Sequence, residues 1–383
     1  MKRFIVGISA LALVSPVAAG AADLGGNCCA DLEERISELE ATAAKKGNRK
    51  ITLTVYGVID KALMYVSGDG IDNNWVVSEN SNVESFVGFR GEAQFSPGWK
   101  AGYVLEIGVG SYDDALFNGT GYGPLLGPGD TNGIYTRRSY GYIDNANLGR
   151  VTVGLASQAT DGIVEISTAN TAPAARMLSL RPITGPQIGD ALDIFDGSRT
   201  NLVRYDSPTM MGAVISASWA SGSFGTDDVW DIAGRWAGEG GGFKLAAGIG
   251  YRAGIAVPSI GNLGSSGPFD PTIVSGSASI KHDATGLFLT GAAGQIDLGI
   301  GPSLTAYGLQ GGVETKLVDL GPTTLYGEWA DTTDHGVLPL SYWGLGVVQH
   351  LDLAASDVYA SLRRYDLNGD NATLFMAGLK VGF

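Results

Sequence analysis

From residue 51 to the last residue the chain alternates. Leu53, Val55, Gly57, Ile59, Leu63 and Tyr65 share one parity, and Thr52, Thr54, Tyr56 and Asp60 the other. A period of two is the mark of a strand with one oily face. Lys61 sits on the apolar parity, which predicts that the strand leaves the hydrocarbon there or carries a bulge. Val87, Phe89, Ala93 and Phe95 alternate with Arg90, Glu92 and Gln94; after Ser96-Pro97-Gly98, Trp99, Ala101, Tyr103, Leu105 and Ile107 alternate with Lys100 and Glu106. Every charge in this hairpin falls on one face. On a soluble sandwich that face would be the wet exterior, and on a membrane barrel it lines the lumen.

The same pattern predicts further strands at 134–144, 150–157, 199–207, 212–220, 228–238, 242–252, 276–283, 287–296, 303–316, 322–330, 342–351, 356–366 and 372–383. With 51–66, 87–95 and 99–107 these make about sixteen. The last strand would leave a bare edge unless it pairs with the first, as a closed barrel requires. The predicted fold is therefore all-β, a transmembrane antiparallel barrel over 51–383, with 372–383 antiparallel to 51–66, Lys380 facing the lumen and Phe383 near the periplasmic rim. Short connections such as 207–211 and 239–241 alternate with long polar ones at 66–81 and 110–133, as bacterial barrels do. Trp99, Tyr103, Tyr140, Tyr142, Trp219, Trp230, Trp236, Tyr251, Trp329, Tyr342 and Trp343 lie near strand ends and are candidates for aromatic girdles.

Upstream the pattern differs. Lys2 and Arg3 precede an apolar run from Phe4 to Val17 and the small residues Ala19-Gly20-Ala21, so residues 1–21 read as an export signal. Within the segment 22–50, Leu32, Ile36 and Leu39 follow a/d spacing and predict a short helix over about 31–45 that associates with identical copies as a coiled coil. A lone amphipathic helix on the barrel base fits the same residues. Cys28 and Cys29 are adjacent, so they supply no disulfide framework; a cross-link between subunits is open to them.

Composition narrows the function. A formal charge of −14 argues against a nucleic-acid partner, which needs clustered positive charge. The 58 glycines suit turns and close strand approach. His282, His335 and His350 are scattered, with no metal-binding spacing and no nucleophile elbow, so neither cofactor nor metal is expected. Asp334-His335 would serve a barrel hydrolase, but a polar loop explains them as well.

G-F-R-G-E-A-Q-F-S-P-G-W-K-A-G-Y (88–103), R-T-N-L-V-R-Y-D-S-P (199–208), the terminal G-L-K-V-G-F and the preamble D-L-E-E-R-I-S-E-L-E-A-T-A-A-K-K-G-N-R-K together resemble the general porins of alphaproteobacteria. The resemblance implies a homotrimer of sixteen-stranded barrels in outer-membrane lipid, with the third long loop folded into each pore and Phe383 read by the barrel-assembly machinery. The longest unpatterned stretch, 158–198, carries Asp161, Glu165, Asp190, Asp193 and Asp196 against Arg176 and Arg181, and its T-D-G-I-V-E-I run suggests a short helix. Folded inward, it would constrict the pore and face Arg90, Arg137 and Arg204, which the resemblance and strand parity together place in the lumen. The expected function is passive diffusion of small hydrophilic solutes and ions, without catalysis. The alternatives are a substrate-selective pore and an adhesive barrel that binds partners through its long loops.

Overall fold

The computed structural model describes residues 45–46, 49–69, 71–80, 82–110, 133–176, 195–221, 228–254, 271–297, 299, 303–333, 340–367 and 370–383. Two short strands, β1 (Lys45–Lys46) and β2 (Arg49–Lys50), pair with each other. Lys45 therefore belongs to a strand and not to the helix expected over 31–45, the rest of which lies outside the described residues, as do the signal segment and the adjacent cysteines.

The strands that follow are β3 (Thr52–Gly68), β4 (Ile71–Glu79), β5 (Phe86–Ser96), β6 (Trp99–Gly110), β7 (Gly133–Asn145), β8 (Gly149–Ser157), β9 (Arg199–Asp206), β10 (Ala213–Ala220) and β11 (Val229–Gly240). After them come β12 (Phe243–Ala253), β13 (Thr272–His282), β14 (Leu287–Asp297), β15 (Leu304–Val318), β16 (Gly321–Thr332), β17 (Leu340–Leu351), β18 (Ser356–Leu367) and β19 (Asp370–Gly382). All seventeen lie in one closed antiparallel barrel. Closure is made by β19 on β3, with Leu374 opposite Val66 and Lys380 opposite Asp60. Past the end of β19, Phe383 and Gly57 exchange two backbone hydrogen bonds, 2.9 and 3.1 Å.

Seventeen strands give sixteen staves because the second stave is broken. β5 pairs with the first part of β3, from Thr52 to Val58, whereas β4 pairs with the last part, from Lys61 to Gly68. The region 66–81 is thus not the open loop expected from its Asp72-Asn73-Asn74 sequence. Trp75 and Val77 alternate with the buried Val76 and Ser78, and this pattern decides the conformation once β3 is there to pair with. Lys61 neither ends the strand nor marks a bulge. It lies where β3 changes partner, and its ammonium is ion-paired to the buried carboxylate of Glu79.

Along β14, Phe288, Thr290, Ala292 and Ile296 are buried toward the lumen, while Leu287 and Leu289 are exposed on the outside. Outward aliphatics of this kind recur around the barrel, Ile249 being 64 % exposed and Val153 56 %. Such a continuous apolar exterior is stable only against lipid. Trp219, Trp230, Trp236, Trp329 and Trp343 also point outward, but Tyr142 turns inward to donate to Glu92 and Tyr342 is buried inside beside Arg363. Tyr140 packs inward on Leu202. These three tyrosines therefore leave the girdle that strand-end position alone assigned them.

One end of the barrel has connections of two to six residues, such as 241–242, where both glycines take positive φ (62° and 80°) as a tight hairpin demands. The opposite end carries the long connections, among them 111–132, 158–198 and 254–271.

Candidate functional site

The described limb of the long loop, 158–176, turns into the barrel and runs along its inner wall. Small residues at inward positions make room for it. A side chain at Gly248 would collide with Ile163 and Ile166, and one at Gly294 with Phe195. The alternation S-G-S-A-S in β13 points Ser275, Ser277 and Ser279 inward, and each bonds the loop: Ser275 Oγ donates to Phe195 O (2.6 Å), Ser277 Oγ to Ile163 O (2.6 Å), and Ser279 Oγ accepts from Thr168 N (2.9 Å). Asp231 of β11 accepts from both Thr160 N (2.6 Å) and Thr160 Oγ1 (2.7 Å).

Further along, Thr171 bonds Gln310, Asn170 bonds Asp357, and Asn80 donates to Pro173 O (2.7 Å). The loop is thus tied from β10 and β11 across to β18 and the break between β4 and β5. The T-D-G-I-V-E-I run is a series of turns closed by i to i+3 bonds, not a helix. Positive φ at Gly162 (77°), with Ile163 and Val164 buried, explains why a helix does not propagate.

Charge is concentrated where the loop leaves β8. A bulge in β7 opposite Glu106 adds Arg137 to the inward side next to Arg138, so two successive arginines reach the lumen. Arg137 is bonded to Glu106 and Glu84, and Arg199 to both oxygens of Glu84 (3.1 and 2.8 Å). Arg138 approaches Asp161 at 3.9 Å. Burial alone would raise the Asp161 carboxyl, but Arg138, a hydrogen bond from Ser157, Arg199 and Arg176 hold it below the ordinary carboxylate range. Asp196 behaves oppositely. Burial, then the charges of Glu165 and Asp161, push it well above that range, although Gly162 N and Ile163 N both donate to it at 2.8 Å.

A closed antiparallel barrel with one loop drawn inside, charged groups facing across the interior and an apolar outer wall is the geometry of an aqueous channel through lipid. A family model described as Gram-negative porin matches residues 7–380. The chain belongs to the Gram-negative porin family. No curated protein matches the sequence. Among solved structures, the anion-selective porin from Comamonas acidovorans is similar, with 18 % identity, a TM-score of 0.61, and 87 % of this chain and 100 % of that one covered. The trimer form of OmpT, an outer membrane protein of Vibrio cholerae, is 14 % identical over 87 % of this chain and 99 % of that one, with a TM-score of 0.58. Salmonella typhi OmpF, in complex with daunomycin, is 12 % identical over 88 % and 98 %, with a TM-score of 0.55. The protein is a porin of the bacterial outer membrane, and its barrel is a passive channel.

In this porin, Arg90 is exposed on the inward parity of β5, its guanidinium 5.7 Å from the Tyr56 ring. Arg137 lies in the bulge. Arg204 braces the start of the loop, donating to Ser157 O (3.1 Å) and Gln158 O (2.9 Å) while pairing with Asp206. Glu165 pairs with Arg176 within the loop itself. Asp190, Asp193 and Arg181 lie outside the described residues, as do Leu32, Ile36, Leu39, Asp334 and His335. Phe383 lies against the barrel seam, its ring where a side chain at Gly57 would be.

Five arginines beyond those expected also reach the loop or its acidic partners: Arg138, Arg199, Arg235, Arg252 and Arg363. Arg235 donates to Ala159 O and Asp161 O (both 2.7 Å), Arg252 to Asp196 O (2.6 Å), and Arg363 to Arg176 O (2.9 Å) and Glu328. Inward parity was a readable signal for Arg252, next to Tyr251 on the outside; which backbone carbonyls these arginines would meet was not. Among the described residues no group of three or more His, Cys, Asp or Glu side chains could hold a metal.

Proposed function

We propose that the porin is a homotrimeric, non-catalytic channel for small hydrophilic solutes and ions, whose constriction is the gap between the inward loop and the wall of β5 to β9. The reading rests on one observation: the loop is held by hydrogen bonds along the interior, with Asp161, Glu165 and Asp196 on it and arginines on the facing wall. Opposed fixed charges create a transverse field that orders water and disfavours apolar solutes while small ions pass. Arg90, Arg137 and Arg204 contribute positive potential on the wall side. Asp190 and Asp193 would add negative potential from the rest of the loop.

Residues 1–21 direct export, and residues 22–50 carry the trimerising coiled coil of Leu32, Ile36 and Leu39. Phe383 is the signal read by the barrel-assembly machinery. The trimer is supported by a structural likeness: the OmpT barrel of Vibrio cholerae, similar in fold, has a trimer form. Replacing Arg90, Arg137 and Arg204 singly with Gln and measuring reversal potentials across a salt gradient tests the constriction. Each variant is expected to shift toward cations, and an unchanged potential in all three would place the constriction elsewhere.

A further inference from the structure

We propose that the break in the second stave is a third element of the constriction, and that Glu84, carried on it, sets the ion selectivity of the pore. This rests on the channel reading above and adds to it a fixed anion on the same side as the arginines. The break is a built turn. After β4, Asn82 N donates to Asn80 Oδ1 (3.0 Å) and Val83 N to Asn80 O (3.2 Å), which turns the chain out of the ladder. Before β5, Ser85 N donates to Glu79 Oε1 (2.8 Å), and Ser85 Oγ accepts from Asp60 N of β3 (2.9 Å). Short polar side chains that satisfy nearby backbone groups in this way fix a turn. Asn80, Asn82, Glu84 and Ser85 are all buried, so Glu84 is held between two fixed ends.

From there Glu84 bridges two strands that are not neighbours. Its Oε2 accepts from Arg137 Nε of β7 (3.0 Å) and from Arg199 Nη2 of β9 (2.8 Å), and its Oε1 from the same Arg199 nitrogen (3.1 Å). The Phe86 ring, 4.5 Å from the guanidinium of Arg137, backs it. The bonds continue as a circuit: Arg137 to Glu106, Glu106 to Arg138 (3.4 Å), and Arg138 to Asp161 at the head of the loop (3.9 Å). On the other side of the break, Asn80 Nδ2 donates to Pro173 O (2.7 Å) and Asn82 Nδ2 to Ala174 O (3.4 Å), far along the same loop. The loop follows the inner wall from β11 to β18, and the break and the arginines complete the wall from β5 to β9. Loop, break and arginines therefore encircle the path, and an ion that passes the loop also passes Glu84.

Charge in this circuit is balanced. Among the described residues Arg137, Arg138 and Arg199 stand against Glu84, Glu106 and Asp161. Opposite charges so placed give a passing ion little net preference at this level. Glu106 pairs with the two arginines of β7, whereas Glu84 pairs across from β7 to β9. Removing the Glu84 charge thus uncovers positive potential on two strands at once and leaves three cations against two anions.

The test measures reversal potentials of the full protein in planar bilayers across a potassium chloride gradient, with heat-dependent migration in detergent gels as the check on folding. Glu84→Gln keeps the shape and drops one charge, and the anion-to-cation permeability ratio is expected to rise roughly 5-fold, the scale of one unit charge a few ångströms from an ion in water. Arg199→Gln is expected to move the ratio the opposite way, and the double variant to return close to wild type. Glu84→Asp, which keeps the charge, should stay close to wild type as well. A carboxylate that only propped the break would give both single glutamine variants the same shift or none, because each breaks the same bond; either result in a folded barrel overturns the proposal alone. Arg199→Gln reads the pair from its other end should Glu84→Gln fail to assemble, and no shift toward cations there overturns it too. Absence of conductance in the unaltered protein would overturn the channel reading and this proposal with it.

Discussion

Replacing Asp231 with Ala tests how the loop is held. Its carboxylate is 2 % exposed and takes three donors: Thr160 N at 2.6 Å, Thr160 Oγ1 at 2.7 Å and the hydroxyl of Ser218, which in turn accepts from Ala159 N at 3.2 Å. Hydrogen bonds to a charged group contribute roughly 1.5 to 3 kcal/mol each, and the donors left behind are buried. Against this stands the cost of burying the carboxylate itself, which the substitution removes. The balance is about 3 kcal/mol lost from loop docking, or a roughly 100-fold larger undocked population. The barrel ladder between β10, β11 and β12 uses backbone groups alone, so the variant is expected to stay closed. Single-channel recording should show a noisier open level with frequent excursions to higher conductance, while heat-dependent migration in detergent gels remains that of the folded barrel. A folded variant with wild-type current noise and conductance would refute the claim that these bonds anchor the loop.

Three further outcomes follow from the same geometry. A β-carbon at Gly294 would sit 2.3 Å from the Phe195 ring, so Gly294→Val should expel the returning limb of the loop at a cost of about 1 to 3 kcal/mol and raise conductance, measured in the same bilayers. Gly57→Leu would meet Phe383 at 2.5 Å and should lower the temperature at which the detergent-solubilised barrel opens, without altering ion selectivity. For pH, the sign follows from Asp196, whose carboxyl is raised by burial and then by Glu165 and Asp161. Its neutral form fits the docked loop, so its contribution to docking is complete below the ordinary carboxylate value and is lost as pH rises through the raised one. Over that rise the loop gains negative charge and the reversal potential should move toward cations. Asp196→Asn should abolish the step and Asp161→Asn, whose carboxyl is held low, should keep it; a step that survives in Asp196→Asn would count against the assignment.

The barrel was legible because lipid and lumen impose opposite demands on alternate residues, and β5 and β6 display that alternation, with Phe95, Tyr103 and Leu105 facing out and Arg90, Glu92 and Glu106 facing in. β4 was hidden because Asp72-Asn73-Asn74 near its start is polar and its order comes from pairing with β3 beyond Lys61. Parity also fails at a bulge. Arg137 and Arg138 cannot both be inward on a regular strand, and only the shift opposite Glu106 and Ile107 puts them there. The tyrosines misassigned to the girdle show a related limit: strand-end position does not say which way a ring turns, and Tyr142 lies over Gly102 inside the barrel. The loop's inward path was expected from its length, acidity and resemblance. Its anchors were not, because Asp231, Ser277, Gln310 and Asp357 come from strands far apart in sequence and read there as ordinary lumenal polar groups.

The central claim is that this closed barrel, with its loop docked inside, leaves an aqueous path. Reconstitution of the purified full-length protein into planar bilayers in potassium chloride tests it most directly. Stepwise, ohmic conductance that rises in proportion to salt, with steps arriving in threes, is the predicted result. Folded protein that inserts and yet passes no current would contradict it.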